Sequence, residues 1–266
     1  MRIRRILLDK SPLLRHIAIC VGNKIKVGNN RFIVNNYHFQ KNHVQLNGMN
    51  NSFRCEEASY CRNSNVYING KNNEVCIRNE TFIGGGTSIH FDGNDNQLII
   101  GANCTINNSS FFIHGSHNRI SIGDSCRLME TKIHIEGQNN LIQIGRGCTF
   151  HGRTSYPNTL FSDEGGKILI GDDAMFAHGI RIRPTDSHCI LDSYGNRINP
   201  PEDIKIGNHC WIGLDVVLLK GTHIPNNCVV AARAVCTKKY IEEHCILAGI
   251  PAEIVKRDID WERELK

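Results

Sequence analysis

The sequence contains no Cys-x-x-Cys pair, although 12 of its 266 residues are Cys. That spacing argues against a zinc ribbon or a disulfide framework. It also lacks a long Lys/Arg tract interleaved with aromatics. The net charge of +5 therefore suits anionic ligands without indicating a nucleic-acid partner. Uninterrupted apolar runs are missing as well. The opening "MRIRRILLDKSPLLRHIAIC" is broken by Asp9, Lys10, Arg15 and His16, so nothing there approaches a membrane span. Aromatics make up only 7%, against 24 Gly and many Asn. This mix suits small side chains stacked in a turn-rich β structure and excludes an ordinary helical bundle. Free thiols and no recognisable export signal lead us to expect a cytoplasmic protein. Residues 1–24 are expected to cap the end of a β fold. An amphipathic helix lying on a membrane surface is the alternative.

What is present is a repeat. Aligned on glycine, the chain reads "LNGMNNS", "INGKNNE", "FDGNDNQ", "IHGSHNR" and "IEGQNNL", at Gly48, Gly70, Gly93, Gly115 and Gly137, with steps of 22 or 23 residues. Three residues after each glycine comes Asn51, Asn73, Asn96, Asn118 or Asn140. Gly and Asn most readily take left-handed backbone angles, so each cluster marks a corner. The runs between corners alternate with period two, as half-buried strands do. The expected object is a solenoid of stacked parallel strands from about residue 25 to 255. Cys104, Cys126 and Cys148 share one phase and should stack as an internal ladder of small apolar groups. His90 and His134 also share a phase and are expected to be structural.

Near the C-terminus the period shortens. Ile206, Ile212, Leu218, Ile224, Val230 and Cys236 recur every six residues. From about 165 to 255 the sequence resembles the hexapeptide-repeat family, whose members fold as left-handed parallel β-helices. The resemblance implies an all-β, left-handed solenoid. Coils of 22 residues would run to about 150 and hexapeptide coils from about 165. The tail 256–266, "KRDIDWERELK", reads as a short amphipathic helix closing the open end.

The rhythm breaks twice. After Gly145 the next equivalent glycines are Gly171 and Gly207, so the chain adds four residues and then fourteen to its 22-residue period. Long excursions from a rigid scaffold are where binding and catalytic groups usually sit. The larger one contains "PTDSHCILDSYGNRINPP" and leads into "IGNHCWIG". Here the sequence is similar to the family's O-acetyltransferases for capsular and other surface sugars, and for maltose, galactosides and nodulation factors. The matching positions are His188, Asp192, Gly195 and Trp211. The resemblance implies transfer from acetyl-CoA to a saccharide, in a homotrimer with active sites between subunits.

The chemistry fits such a histidine. A sugar hydroxyl attacks a thioester slowly unless a base removes its proton as the bond forms, and imidazole is the side chain best matched to that task near neutral pH. His188 is the expected general base. Asp186, two residues away, would share its side of an extended segment and could orient the imidazole, with Asp192 the competitor. Cys189 as an acyl-enzyme nucleophile is the rival mechanism, but adjacent side chains face opposite ways. Trp211 is expected beside the acceptor by resemblance, or as packing at a subunit boundary.

For the donor, the resemblance implies Gly213, Ala231, Ala232, Thr237, Lys238 and Pro251, with Ala252. Small residues would let the pantetheine arm lie along the backbone, and lysines would meet the phosphates. Two departures stand out. The family's "GAGSVV" is here "AARAVC", and Glu253 stands where a cation is usual. Three classes remain open: an O-acetyltransferase on a capsular or surface polysaccharide, an N- or O-acetyltransferase on a small or nucleotide-linked amino sugar, and a non-acyltransferase. A carbonic-anhydrase-like zinc site would need three converging histidines, and His178, His188 and His209 do not share a phase. No metal is expected.

Overall fold

A computed structural model describes residues 22–34 and 38–264. The chain winds into a three-sided parallel β-helix of about ten turns. Each turn contributes one strand to each of three sheets, which hold 10, 9 and 11 strands. The first sheet runs from Lys24–Lys26 to Val235–Cys236, the second from Arg31–Val34 to His223–Ile224, and the third from Phe39–Gln40 to Ala252–Lys256. All neighbours pair in parallel except the last two, Ile246–Gly249 and Ala252–Lys256. His43 sits opposite Asn65, a step of 22, whereas Val217 sits opposite Val235, a step of 18. The 18-residue step begins where Lys205 meets His223 and shortens to 17 where Val229 meets Ile246.

The corners fall where the sequence places them. Gly70, Gly93 and Gly115 take φ of 129°, 142° and 131°, in the left-handed region. A Cβ on any of them would lie within 1.9 Å of the next glycine's carbonyl oxygen, so no other residue fits this column. Inside the same corner stands an asparagine ladder. Asn118 donates from its amide nitrogen to Asn96 Oδ1 (3.1 Å) and to the Gly137 carbonyl (2.9 Å), and its own Oδ1 accepts from Asn140. The ladder extends beyond the five expected asparagines, to Asn30 below and Ser162 above. Cys104, Cys126 and Cys148 are buried and stacked as expected, each thiol donating to the carbonyl of a glycine one coil on, Gly123, Gly145 or Gly171. On the outside of the first sheet, Tyr67, His90, Phe112, His134 and Phe161 form a ring-to-ring column with centroids 4.7 to 5.1 Å apart. Both histidines are therefore structural. Arg183 ends the column, its guanidinium 4.6 Å from the Phe161 ring centre.

The two ends differ from expectation. The cap predicted over 1–24 falls largely on residues 1–21, outside the described residues, and Lys24 already belongs to the first strand. The C-terminal helix predicted over 256–266 does not form: Lys256 ends a strand, and 257–264 is irregular. Helical periodicity loses there to specific anchors. Asp258 adopts φ 55°, and Ile259 N–H bonds the His244 carbonyl instead of continuing a helix. Trp261 stacks on His209 at 4.4 Å and donates its indole N–H to the His209 carbonyl (2.8 Å). Arg263 reaches Asp173 (2.8 Å) and Thr149 (2.7 Å). The tail is thus a strap folded back over the third sheet.

Two consequences can be measured. Asn118→Ala leaves Asn140 without its acceptor inside the corner, and should cost about 2–3 kcal/mol in urea unfolding. Asn72→Gly, in the solvent-exposed ladder between Asn50 and Asp95 and at φ 58° where glycine keeps the left-handed backbone, should cost under about 1 kcal/mol. The strap carries its own pH dependence. Burial alone would lower the His209 pKa, but its bonds to Asp173 and to the Trp261 carbonyl outweigh it and hold the pKa above the ordinary value. A raised folded pKa means that the clamp's contribution is fully present below the unfolded histidine value, about 6.5, and is lost as pH rises through the higher folded value. NMR titration should show His209 titrating late in the wild type and falling back in Asp173→Asn.

Candidate active site

The large excursion leaves the helix after Arg181–Arg183 and rejoins it at Ile204–Ile206, at the corner between the first and second sheets. Ile168 pairs with Ile204, a step of 36, so one whole short coil of chain is extruded there. Its backbone folds into a hairpin, with Leu191 bridged to Arg197 and Ile198 N–H bonded to the Ile190 carbonyl.

Side chains pin the root of this loop from several sides. Asp186 accepts from Lys220 (2.6 Å) and from Asn199 (2.8 Å). Lys220 first, then Asn199, hold its carboxyl below the usual carboxylate range, so it is ionised at neutral pH. Asn199 is almost fully buried and also donates to the His188 carbonyl (2.8 Å), while its Oδ1 accepts the Ile190 N–H (2.7 Å). Arg183, at the end of the aromatic column, donates to Ser187 Oγ (2.7 Å). Thr185 bonds Asp163, and Arg197 pairs with Glu164 (2.6 Å). His188 is exposed at the centre of this arrangement, and among the described residues no side chain is bonded to its ring.

Neither expected orienter reaches that ring. Asp186 faces Lys220 and Asn199, and so acts on His188 through the backbone they share. Asp192 accepts the N–H groups of Tyr194 and Asn196 and serves the hairpin turn. Lys220, Asn199 and Arg183 were not singled out from the sequence. Lys220 follows Leu219, which the register sets opposite Arg183, directly above the loop root. His209 is no metal ligand in this arrangement, since Nδ1 faces Asp173 (2.6 Å) and Nε2 faces the Trp261 carbonyl (3.0 Å). Among the described residues no three His, Cys, Asp or Glu converge as a metal site.

The donor candidates divide between two corners. Gly213, Ala231 and Ala232 follow strands of the third sheet, where it turns into the first. A Cβ on Gly213 would lie 2.7 Å from the Val230 oxygen and 2.8 Å from the Ala232 nitrogen, so this corner is as tight as a backbone-lined groove requires. Trp211, 39% exposed, begins just before it. Thr237 and Lys238 follow the first sheet instead, at the corner that carries His188 two coils earlier. Lys238 lies 2.5 and 2.6 Å from the Glu253 carboxylate oxygens. The second departure from the family pattern, Glu253, thus matches this lysine with an acid. Pro251 is exposed in the turn between the last two strands. One side of the prism separates Gly213 from Lys220. Seven residues, a turn at 214–215 among them, place the two corners at most about 23 Å apart.

No profile of a known family matches the chain. Two curated relatives are polysialic acid O-acetyltransferases. The one from Neisseria meningitidis is 39% identical over 103 residues, 38% of this chain and 48% of the relative. The one from Escherichia coli O1:K1 / APEC is 35% identical over 97 residues, 36% of this chain and 31% of the relative. The matched segment therefore spans about half or less of these relatives' length. Solved structures extend the likeness. That of the polysialic acid O-acetyltransferase OatWY superposes with TM-score 0.70 at 35% identity, covering 76% of this chain and 92% of that one. That of the polySia-specific acetyltransferase NeuO gives 0.57 at 26%, covering 76% and 90%. With its three parallel sheets, its shortening coil and a loop histidine ahead of "WIG", the chain belongs to the hexapeptide-repeat acetyltransferase family of left-handed parallel β-helices.

Proposed function

We propose that the protein is an O-acetyltransferase that moves an acetyl group from acetyl-CoA to a hydroxyl of a capsular or other surface polysaccharide. The observation that carries this reading is His188: an exposed imidazole, bonded to no side chain among the described residues, on a loop root held by Arg183, Asn199 and Lys220. A general base needs that combination of a fixed backbone and an open nitrogen. Acetyl-CoA supplies the thioester as co-substrate. An imidazole nitrogen of His188 takes the hydroxyl proton as the new C–O bond forms, and the imidazolium returns it to the sulfur as the C–S bond breaks. The products are the sugar ester and the free thiol. Transfer is direct, and the exposed Cys189 is not needed as a nucleophile.

The side of the prism between the two corners supports a homotrimer, in which a donor held at Gly213, Ala231 and Ala232 would serve the His188 of a neighbouring copy. Ile190, Leu191, Tyr194 and Ile198 on the hairpin are each more than half exposed, an apolar edge suited to a second copy. Thr237 and Pro251 would complete the groove, with Lys238 neutralised by Glu253. Trp211 would meet the acceptor at that boundary. No helix among the described residues is long and apolar enough to cross a membrane. We place the reaction in the cytoplasm, where acetyl-CoA is made and thiols stay reduced.

The test is the O-acetyl content of the surface glycan in host cells making the wild type, His188→Ala or neither. Acetylation should vanish in both deficient strains, with the variant folded. Equal acetylation in all three would end the surface-glycan reading and turn attention to small amino sugars. A second variant probes the loop root. Lys220→Met removes the stronger hold on Asp186, returns its carboxyl toward ordinary acidity and should lower kcat/KM about tenfold or more, about 1.4 kcal/mol in the barrier. Lys220→Arg should keep most of the activity.

A further inference from the structure

Arg233 stands in "AARAVC" at the place of the second glycine of the family's "GAGSVV", and no step of the transfer uses it. It lies in the turn after Val229–Val230, between the third and first sheets. The register stacks this turn on the one after Trp211–Ile212, so Ala231 stands over Gly213 and Arg233 over Asp215. Arg233 N–H bonds the Leu214 carbonyl across that step (2.7 Å). One coil on, Leu247 pairs with Val230 and leads into the turn that contains Pro251. Gly213, Ala231, Ala232 and Pro251, all proposed to hold the donor, therefore share one edge, and Arg233 stands among them.

Its backbone is unusual for its residue type. Arg233 takes φ 62°, in the left-handed region that glycine, asparagine and aspartate enter most easily. One and two coils earlier the same turn position holds Asp215 and Gly179, at φ 54° and 78°. No other arginine among the described residues has such an angle. A strained backbone under a long cationic side chain calls for a use of that side chain. The side chain is 79% exposed, and among the described residues nothing accepts a hydrogen bond from it. Its nearest acid, Asp215, lies 3.7 Å from Nε, beyond hydrogen-bond range. That carboxylate instead covers Gly179, where an added Cβ would meet Asp215 Oδ1. Lys238 is already taken, because Glu253 binds it through both carboxylate oxygens (2.5 and 2.6 Å).

We infer that Arg233 grips a phosphate at the nucleotide end of acetyl-CoA, in the place that Lys238 leaves unfilled. A guanidinium presents paired N–H donors that match two oxygens of one phosphate, whereas an ammonium meets it as a point charge. Gly213, Ala231 and Ala232 leave the backbone uncovered beside it, so a pantetheine arm laid along them leads to the guanidinium. Asp215 below steadies the stem from the Nε side and leaves the two terminal nitrogens open. The exchange is reciprocal: Glu253 cancels the cation on one corner, and Arg233 supplies one on the edge with the small residues. This inference rests on the reading of the protein as an acetyl-CoA-dependent transferase and names a residue that reads its donor.

The experiment measures donor binding by calorimetry and acetyl transfer to polysialic acid as the acceptor probe. It compares the wild type with Arg233→Gly, which keeps the left-handed turn, and with Arg233→Lys, each checked for folding by circular dichroism. The donors are acetyl-CoA, its 3′-dephospho form and S-acetylpantetheine, which carries no phosphate. Arg233→Gly should raise the Kd and KM for acetyl-CoA about tenfold or more and flatten their salt dependence. The KM for S-acetylpantetheine should move less than about twofold, and Arg233→Lys should recover part of the loss. An effect that persists with the 3′-dephospho donor puts the grip on the diphosphate, and one that vanishes puts it on the 3′-phosphate. Unchanged Kd and KM in folded Arg233→Gly, or an equal rise with S-acetylpantetheine, would overturn the phosphate role and spare the acetyltransferase. Arg233-dependent binding of acetyl-CoA without transfer to the polymer would sustain the role and count against the polysaccharide reading. If the wild type neither binds acetyl-CoA nor transfers from it, both fall.

Discussion

Everything in this molecule depends on one constraint: each coil must lay its backbone hydrogen bonds and its corner side chains onto the coil before it. Strand spacing is fixed by the hydrogen bond, so a residue that recurs every coil meets its own equivalent at the same distance each time. Asparagine exploits this because its amide both donates and accepts, and can therefore pass a bond from coil to coil. Glycine is forced into the same corner because the next coil's carbonyl occupies the space a Cβ would need. The sequence repeat is the trace that this geometry leaves in the chain.

A rigid ladder also explains how a long loop can hold the side chain proposed as the base. The loop does not order itself through a core of its own. It borrows order from three successive coils: Asp163 and Glu164 below, Arg183 at its exit and Lys220 above, each on or just past a strand whose position is already fixed. Asn199, within the loop, ties its return to its start. The aromatic column that ends in Arg183 connects the plain N-terminal coils to the root of the loop that carries the proposed base. Asp186 contributes by being held, not by touching the imidazole.

The C-terminal strap applies the same principle in reverse. Its sequence has the spacing of a short amphipathic helix, yet Trp261 and Arg263 find better partners in His209, Asp173 and Thr149. A stack against a histidine and a guanidinium shared between an acid and a hydroxyl outweigh the marginal stability of a helix under three turns. The strap brings Trp261 to 6.1 Å from Trp211, so the end of the chain helps to shape the wall on which the acceptor is proposed to lie.

The sequence by itself determined the solenoid, its corners, the stacked cysteines, the structural histidines and the position of both breaks. These are legible because a solenoid converts spatial neighbours into a fixed sequence interval, so contacts that are long-range in other folds become a period here. Its bearing on the site stopped at residue types and a resemblance. Only the tertiary structure decided that Asp186 answers to Lys220 and Asn199, that Asp192 serves a turn, and that Lys238 is matched by Glu253. The same holds for the residues proposed to hold the donor, which lie on two corners, and for the tail, which is a strap. These pairings join points 2 to 114 residues apart at intervals unrelated to the coil, and no periodicity encodes them.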